Sequence, residues 1–141
     1  MRSLFINLPV ADTAASKAFY TALGFPHNPD FSDDGSTCIV ISEQLYVMAM
    51  ERPRFQGFIE GEIAPAGTVE VINALSCDSR EEVDQLVTKA LDAGGRPWKP
   101  TNDLGHMYSG SFQDPDGHVW EVVWMDPAAL TGGATEQTAT A

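Results

Sequence analysis

The pattern that narrows the fold most occurs twice along the chain. LFINLPV runs into Asp12, and residues 12–24, DTAASKAFYTALG, predict a helix: Asp12 is the N-cap, Ala15, Ala18, Phe19, Ala22 and Leu23 share a face, and Gly24 is the stop. VEVINALSC runs into Asp78, and SREEVDQLVTKALDAGG predicts a second helix, with a Ser79–Glu82 capping box, Val83, Leu86, Val87, Ala90 and Leu91 at helical spacing, then Gly94 and Gly95. The 66-residue offset between Asp12 and Asp78 also superposes Asn7 on Asn73, as a duplicated strand–helix unit would.

Strand-like segments follow each helix. After the first come STCIVIS and LYVMAME, with Glu43 and Gln44 as the hairpin connection. After the second come RPWKP, HMYSGSFQ and HVWEVVW, with DPDG as the turn between the last two. The order is strand, helix and three strands, twice. Residues 52–67, RPRFQGFIEGEIAPAG, read as a connector with a short helix around Phe55 to Phe58, and PAALTGGATEQTATA, residues 127–141, as a disordered or loosely packed tail.

A length of 141 residues fits one domain. A net charge of -12 and a pI of about 4.3 repel phosphate backbones and anionic lipid surfaces, so nucleic acid and membranes are not expected as partners; the acidity fits attraction of a cationic ligand, and more simply an ordinary solvated surface. No apolar run approaches the ~20 residues that span a bilayer, and MRSLFINLPVAD lacks a signal core, so a cytoplasmic protein is expected. Cys38 and Cys77 have no CxxC spacing and read as buried free thiols. There is no GxGxxG, phosphate-binding GK[ST] loop or GxSxG, and DFSDDGST has too few spaced oxygens for a calcium loop.

In DPDGHVWEVVW, strand alternation puts Glu121 on one face with Val119 and Val123, and Trp120 with Trp124 on the other. Both faces read as buried. A carboxylate there needs a metal, a donor, a ligand or a proton.

FYTALGF after an Asp-capped helix start, the two similar halves, and FQDPDGHVWEVVW together resemble the vicinal oxygen chelate superfamily, which includes glyoxalase I, extradiol dioxygenases and the fosfomycin- and bleomycin-resistance proteins. The resemblance covers residues 3 to about 126. The FxNLPV opening, the NPxFSDD segment and the WEVVWMD close most resemble the group described as predicted lactoylglutathione lyases. It implies an α+β fold in which paired βαβββ modules form a curved eight-stranded mixed sheet around a cavity, with helices on the outer face. The implied layout is one domain over 1–126, with module one at about 3–51, the connector at 52–67 and module two at 68–126. A homodimer is also implied, with modules pairing within one chain or across two.

In metal-dependent members a Glu on the last strand is a ligand, and Glu121 matches it. The other ligand positions fall on Phe5, near Ile72, and within Val47 to Met50, so a complete site for nickel, zinc or iron is not expected. His106 and His118 are candidate replacements, although His27, His106 and His118 each read more simply as loop or turn side chains. The resemblance turns Phe5, Asn7 and Pro9 inward on the first strand, and Glu70, Ile72 and Ala74 inward on the fifth. Strict repeat symmetry instead turns Asn73 inward, and a one-residue slip exchanges faces. Met48, Met50, Trp98, Tyr108, Ser109 and Ser111 complete the expected wall, a mixture that serves equally as core.

The expected function is therefore binding of a small molecule in a cavity centred on Glu121 and Asn7, with a degenerate metal site and no cofactor. The alternatives are a metal-dependent lactoylglutathione lyase, in which Glu121 is ligand or base, and a metal-free protein that sequesters a cationic or aromatic drug. A dioxygenase is the weakest, because the family positions do not assemble two His and a carboxylate.

Overall fold

The computed structural model describes residues 1–128. The first half contains β1 (Leu4–Val10), α1 (Thr13–Ala22), β2 (His27–Asp33), β3 (Ser36–Ser42) and β4 (Leu45–Glu51), and α2 (Arg52–Gln56) follows it. The second half contains β5 (Ile72–Ser76), α3 (Arg80–Asp92), β6 (Arg96–Pro97), β7 (Asn102–Asp103), β8 (Met107–Gln113) and β9 (Val119–Met125). Sheet one has the order β1-β4-β3-β2, and sheet two the order β5-β9-β8-β6 with β7 also on β8. In each half the strand before the helix lies parallel to the last strand, and the remaining pairs are antiparallel. A parallel pair needs a crossover, which the helix supplies.

Local chemistry sets the helix ends. Asp12 accepts the Ala14 N–H, and Gly24 ends the first helix at φ +100°. Ser79 accepts the Glu82 N–H at 3.1 Å, while Glu82 reaches back to the N–H of Asp78, one residue before the position a regular capping box uses.

The second strand of each half departs from expectation. β2 is polar HNPDFSD, and its pairing with β3 is interrupted between Asn28 and Asp33. RPWKP contributes only Arg96 and Pro97 before the chain leaves the sheet and returns at Asn102. A serine hydroxyl replaces the lost ladder bonds in each excursion. Ser32 donates to the Asn28 carbonyl at 2.6 Å and accepts the Cys38 N–H at 3.0 Å. Ser111 accepts the Lys99 N–H at 2.9 Å and donates to its carbonyl at 3.2 Å. The short connector helix begins at Arg52 rather than Phe55, because Pro53 suits a first helical turn. The Asp33 turn is a hairpin: its carboxylate takes the Gly35 and Ser36 N–H groups and pairs with Arg54.

The helix-facing sides of both sheets share one core. Leu8, Val10, Ile39, Val47 and Ala49 meet Phe112, Trp120 and Val122 across Phe19, Tyr20, Val83 and Ala90 of the helices. Phe19 packs on Phe112 with ring centroids 6.1 Å apart, and Tyr20 meets Trp120 edge-on at 5.9 Å. Burial of each such side chain contributes about 1.5–3 kcal/mol. The paired βαβββ organisation is thus present, but one chain does not close an eight-stranded sheet. It forms separate sheets of four and five strands around a common helix layer, with their other faces turned outward.

Polar contacts lock the halves together. The Tyr20 hydroxyl donates to Asp114 Oδ2 at 2.6 Å and accepts the Trp120 indole N–H at 3.0 Å. Asp114 Oδ1 accepts the N–H groups of Asp116 and His118. His118 Nε2 lies 2.7 Å from the Pro9 carbonyl, and Asp116 accepts the Ala11 N–H at 2.8 Å. Among the described residues no helix is long and apolar enough to cross a membrane. The tail expected from residue 127 lies outside the described residues beyond residue 128.

Candidate functional site

The register fixes which side chains share the outward face of sheet two. Glu121 sits between Ala74 of β5 and Ser111 of β8, with Ile72 level with Val119 and Ser109 level with Val123. Asn73 is level with Trp120, and Tyr108 with Trp124, so both belong to the helix side. Tyr108 donates to Asp84 of α3 at 2.7 Å, and the Arg80 guanidinium lies over its ring. The structure thus removes Asn73 and Tyr108 from the expected wall, and Ile72, 54% exposed, occupies the outward position.

Glu121 borders an open recess of 440 Å³ lined by Ser109, Ser111, Lys99, Thr101 and Asn102, among others. The chain from Trp98 to Thr101 leaves the sheet here, and the Ser111 hydroxyl pins it. Trp98 stands 39% exposed on this excursion. Glu121 is half-buried and makes no hydrogen bond or ion pair among the described residues. Its face is less enclosed than the sequence implies: Val119 is buried, while Val123 stays half-exposed.

The outward face of sheet one carries the other expected residues. Phe5 stacks on Tyr46 with centroids 4.8 Å apart, Asn7 lies level with Met48 and Cys38, and Pro9 lies level with Met50 and Ser36. Phe5 is 52% exposed, Met48 half-buried and Met50 buried. Asn7 bonds only locally, to the Phe5 carbonyl at 3.3 Å. Phe31, on the matching excursion of β2, is exposed. Glu70 precedes β5 and is exposed outside any strand.

Both outward faces look away from the shared core, so one chain does not bring Asn7 and Glu121 into a single hollow. Among the described residues the expected cavity centred on that pair is not formed, because the helix layer lies between the two sheets.

Among the described residues no three His, Cys, Asp or Glu side chains converge to hold a metal. The outward positions matching the family ligands carry Phe5, Met48 or Met50, Ile72 and Glu121. A phenyl ring, a thioether and an alkyl chain offer no hard donor, so this set does not fit a divalent ion with oxygen and nitrogen ligands. His118 is committed to the Pro9 carbonyl, and His106 is exposed.

Sequence reasoning missed Tyr20 and Asp114. The Asp-Pro-Asp-Gly turn held the signal, since its first Asp had no assigned partner. Burial, followed by the Asp114 charge, raises the Tyr20 hydroxyl well above its usual range. Burial also raises the Asp114 carboxyl, against the opposing influence of His118 and the Tyr20 hydrogen bond.

Residues 2–42 match the family described as bleomycin resistance protein-like N-terminal. Hypothetical protein SA1046 from S. aureus is similar over 88% of this chain and 94% of its own, at 32% identity and a TM-score of 0.76. The chain belongs to the vicinal oxygen chelate superfamily. A glyoxalase-related enzyme from Fulvimarina pelagi matches at 23% identity and TM-score 0.73, covering 88% of each chain. The fosfomycin resistance protein FosX from Listeria monocytogenes matches at 23% identity and TM-score 0.63, over 88% of this chain and 93% of that one. These two superfamily members share the fold. No match is found among curated proteins.

Proposed function

We propose that this superfamily member binds a small cationic or aromatic molecule, without a resident metal, in hollows formed between two copies of the chain. Sheet one of one copy would face sheet two of the other. The observation that carries this reading is Glu121, a half-buried carboxylate with no partner among the described residues, on a sheet face turned away from the core. Such a group is satisfied when a ligand brings hydrogen-bond donors to it.

The two faces are chemically complementary to such a ligand. Sheet one offers the Phe5–Tyr46 stack, Met48 and the Asn7 amide, and sheet two offers Glu121 and Ser109. Apolar walls with a few polar groups suit an aromatic body carrying an N–H donor, and the net charge of -12 favours its approach as a cation. Exposed Phe5, Val71 and Ile72 beside the free edges of β1 and β5 supply apolar contact for the second copy.

Calorimetric titration with bleomycin, a cationic probe with an aromatic tail, tests the reading. Binding to wild type, weakened about tenfold or more in Glu121→Gln as loss of a charge-assisted bond requires, is expected. Stoichiometric nickel or zinc in protein purified without chelator, with turnover of the methylglyoxal–glutathione hemithioacetal lost in Glu121→Gln, would contradict it and favour a lactoylglutathione lyase.

A further inference from the structure

A second pocket, of 480 Å³, lies where the two halves meet and shares no residue with the Glu121 recess. Leu23 and Phe25 after α1, Ile41 and Leu45 of the β3–β4 hairpin, Leu75 of β5 and Leu86 of α3 supply its apolar lining. Leu23 is buried and the other five are half-buried, so protein atoms alone do not finish covering them. The volume falls within the ~300–1,000 Å³ of small-molecule sites.

The rim is polar and comes from one helix flank. Glu82, Gln85 and Lys89 line it, at spacings of three and four residues that stack side chains along α3. Glu82 is occupied: it accepts the Asp78 N–H at 3.1 Å. Lys89 and the Gln85 amide have no partner among the described residues. A cation in the last turn of a helix also complements the helix dipole, which accounts for Lys89 at this position. It accounts for neither the free amide nor the apolar lining beside it.

We propose that this pocket binds a small amphipathic carboxylate, with its hydrocarbon part against Leu75, Leu86, Ile41 and Phe25 and its carboxylate on the Lys89 ammonium and the Gln85 amide. A cationic ligand would meet Lys89 as a like charge, and a neutral one would leave it unpaired. An anion with an apolar tail satisfies Lys89, Gln85 and the lining when its carboxylate sits at the Lys89 end of the rim, seven residues along α3 from the Glu82 charge.

Octanoate is the probe, followed through the methyl resonances of Ile41, Leu45, Leu75 and Leu86, with octylammonium as the charge-reversed control. Saturable shifts at these methyls are expected with octanoate, and binding of octylammonium roughly tenfold weaker, the order of one charge-assisted bond at a half-exposed rim. Lys89→Glu should abolish the preference for octanoate, and Lys89→Gln should reduce it; Lys89 is exposed, so both variants retain the fold. Equal affinity for the two probes, unchanged octanoate shifts in both variants, or shifts confined to the outward sheet faces would overturn the proposal. So would shifts of the same methyls on protein concentration alone, which would make a second copy the occupant. Glu121→Gln leaves octanoate binding intact, so failure here and failure at the Glu121 site are separable.

Discussion

The Tyr20 hydroxyl and the Asp114 carboxylate, 94 residues apart in sequence, are joined by a buried 2.6 Å hydrogen bond. It ties the helix of the first half to the turn before the last strand of the second, and Trp120 joins it through its indole N–H. Tyr20→Phe removes the donor and leaves both buried partners short of a bond. A loss of about 1–3 kcal/mol in urea unfolding is expected, with little change in helix content. No measurable loss would mean that this hydrogen bond does not help to hold the halves together.

The same carboxyl sets a pH dependence. Because burial raises Asp114, the native state holds that proton more tightly than the unfolded state. Its ionisation therefore lowers stability as pH rises from about 4 through the raised folded value. Asp33, held low first by the Gly35 N–H, and Asp103, held low first by Arg80, work the other way: their contribution is present above the unfolded pKa and is lost as pH falls through the folded one. Relative to wild type, Asp114→Asn should gain unfolding free energy as pH rises above about 4. A wild-type-to-variant difference that stays constant as pH rises would remove Asp114 as the titrating group.

Two glycines mark close packing within the second half. A Cβ on Gly95 would lie 2.7 Å from the Gln113 carbonyl and 2.8 Å from the Ala90 carbonyl, both backbone atoms. On Gly110 it would meet Val87 Cγ2 at 2.7 Å, a side chain able to rotate. Gly95→Ala should therefore cost more than Gly110→Ala, within the range of about 1–3 kcal/mol for overpacking. Thermal unfolding of the pair measures the order, and the reverse order would place the rigid contact at α3 and β8 instead.

Burial, followed by the hydrogen bond to Glu82, pushes the Cys77 thiol up to about 12, and burial also raises Cys38. Neither thiol should react with Ellman's reagent at pH 8 in the native protein, and both should react in urea. Rapid reaction of either in the native state would show β3, or the segment just after β5, opening to solvent.

The extent to which the fold could be read from the sequence follows from how local each signal is. The caps at Asp12 and Ser79 and the strands LFINLPV, STCIVIS and LYVMAME were legible because periodicity and capping are properties of neighbours. β2 and the Trp98–Thr101 excursion were not, because polar HNPDFSD is held by its own Ser32 hydroxyl against Cys38 of β3, and proline-flanked RPWKP by the Ser111 hydroxyl of β8. The outward positions of Glu121 and Ile72 agree with the family register, whereas duplication symmetry misplaced Asn73 by one residue. That the two outward faces point apart depends on how the helices meet, and no local pattern records it.

The sharing of one hollow between two chains is tested most directly by mixing two defective variants. Phe5→Arg spoils sheet one and Glu121→Gln spoils sheet two, and neither alone should bind the bleomycin probe tightly. After chain exchange, each mixed dimer joins an intact sheet one to an intact sheet two at one of its two sites, so tight binding should return at half the sites of the mixed dimers and a quarter of all sites in an equimolar, randomly exchanged mixture. A mixture that stays as weak as its components, from wild-type protein that sediments as a single 15.2 kDa chain, would contradict a hollow built between copies.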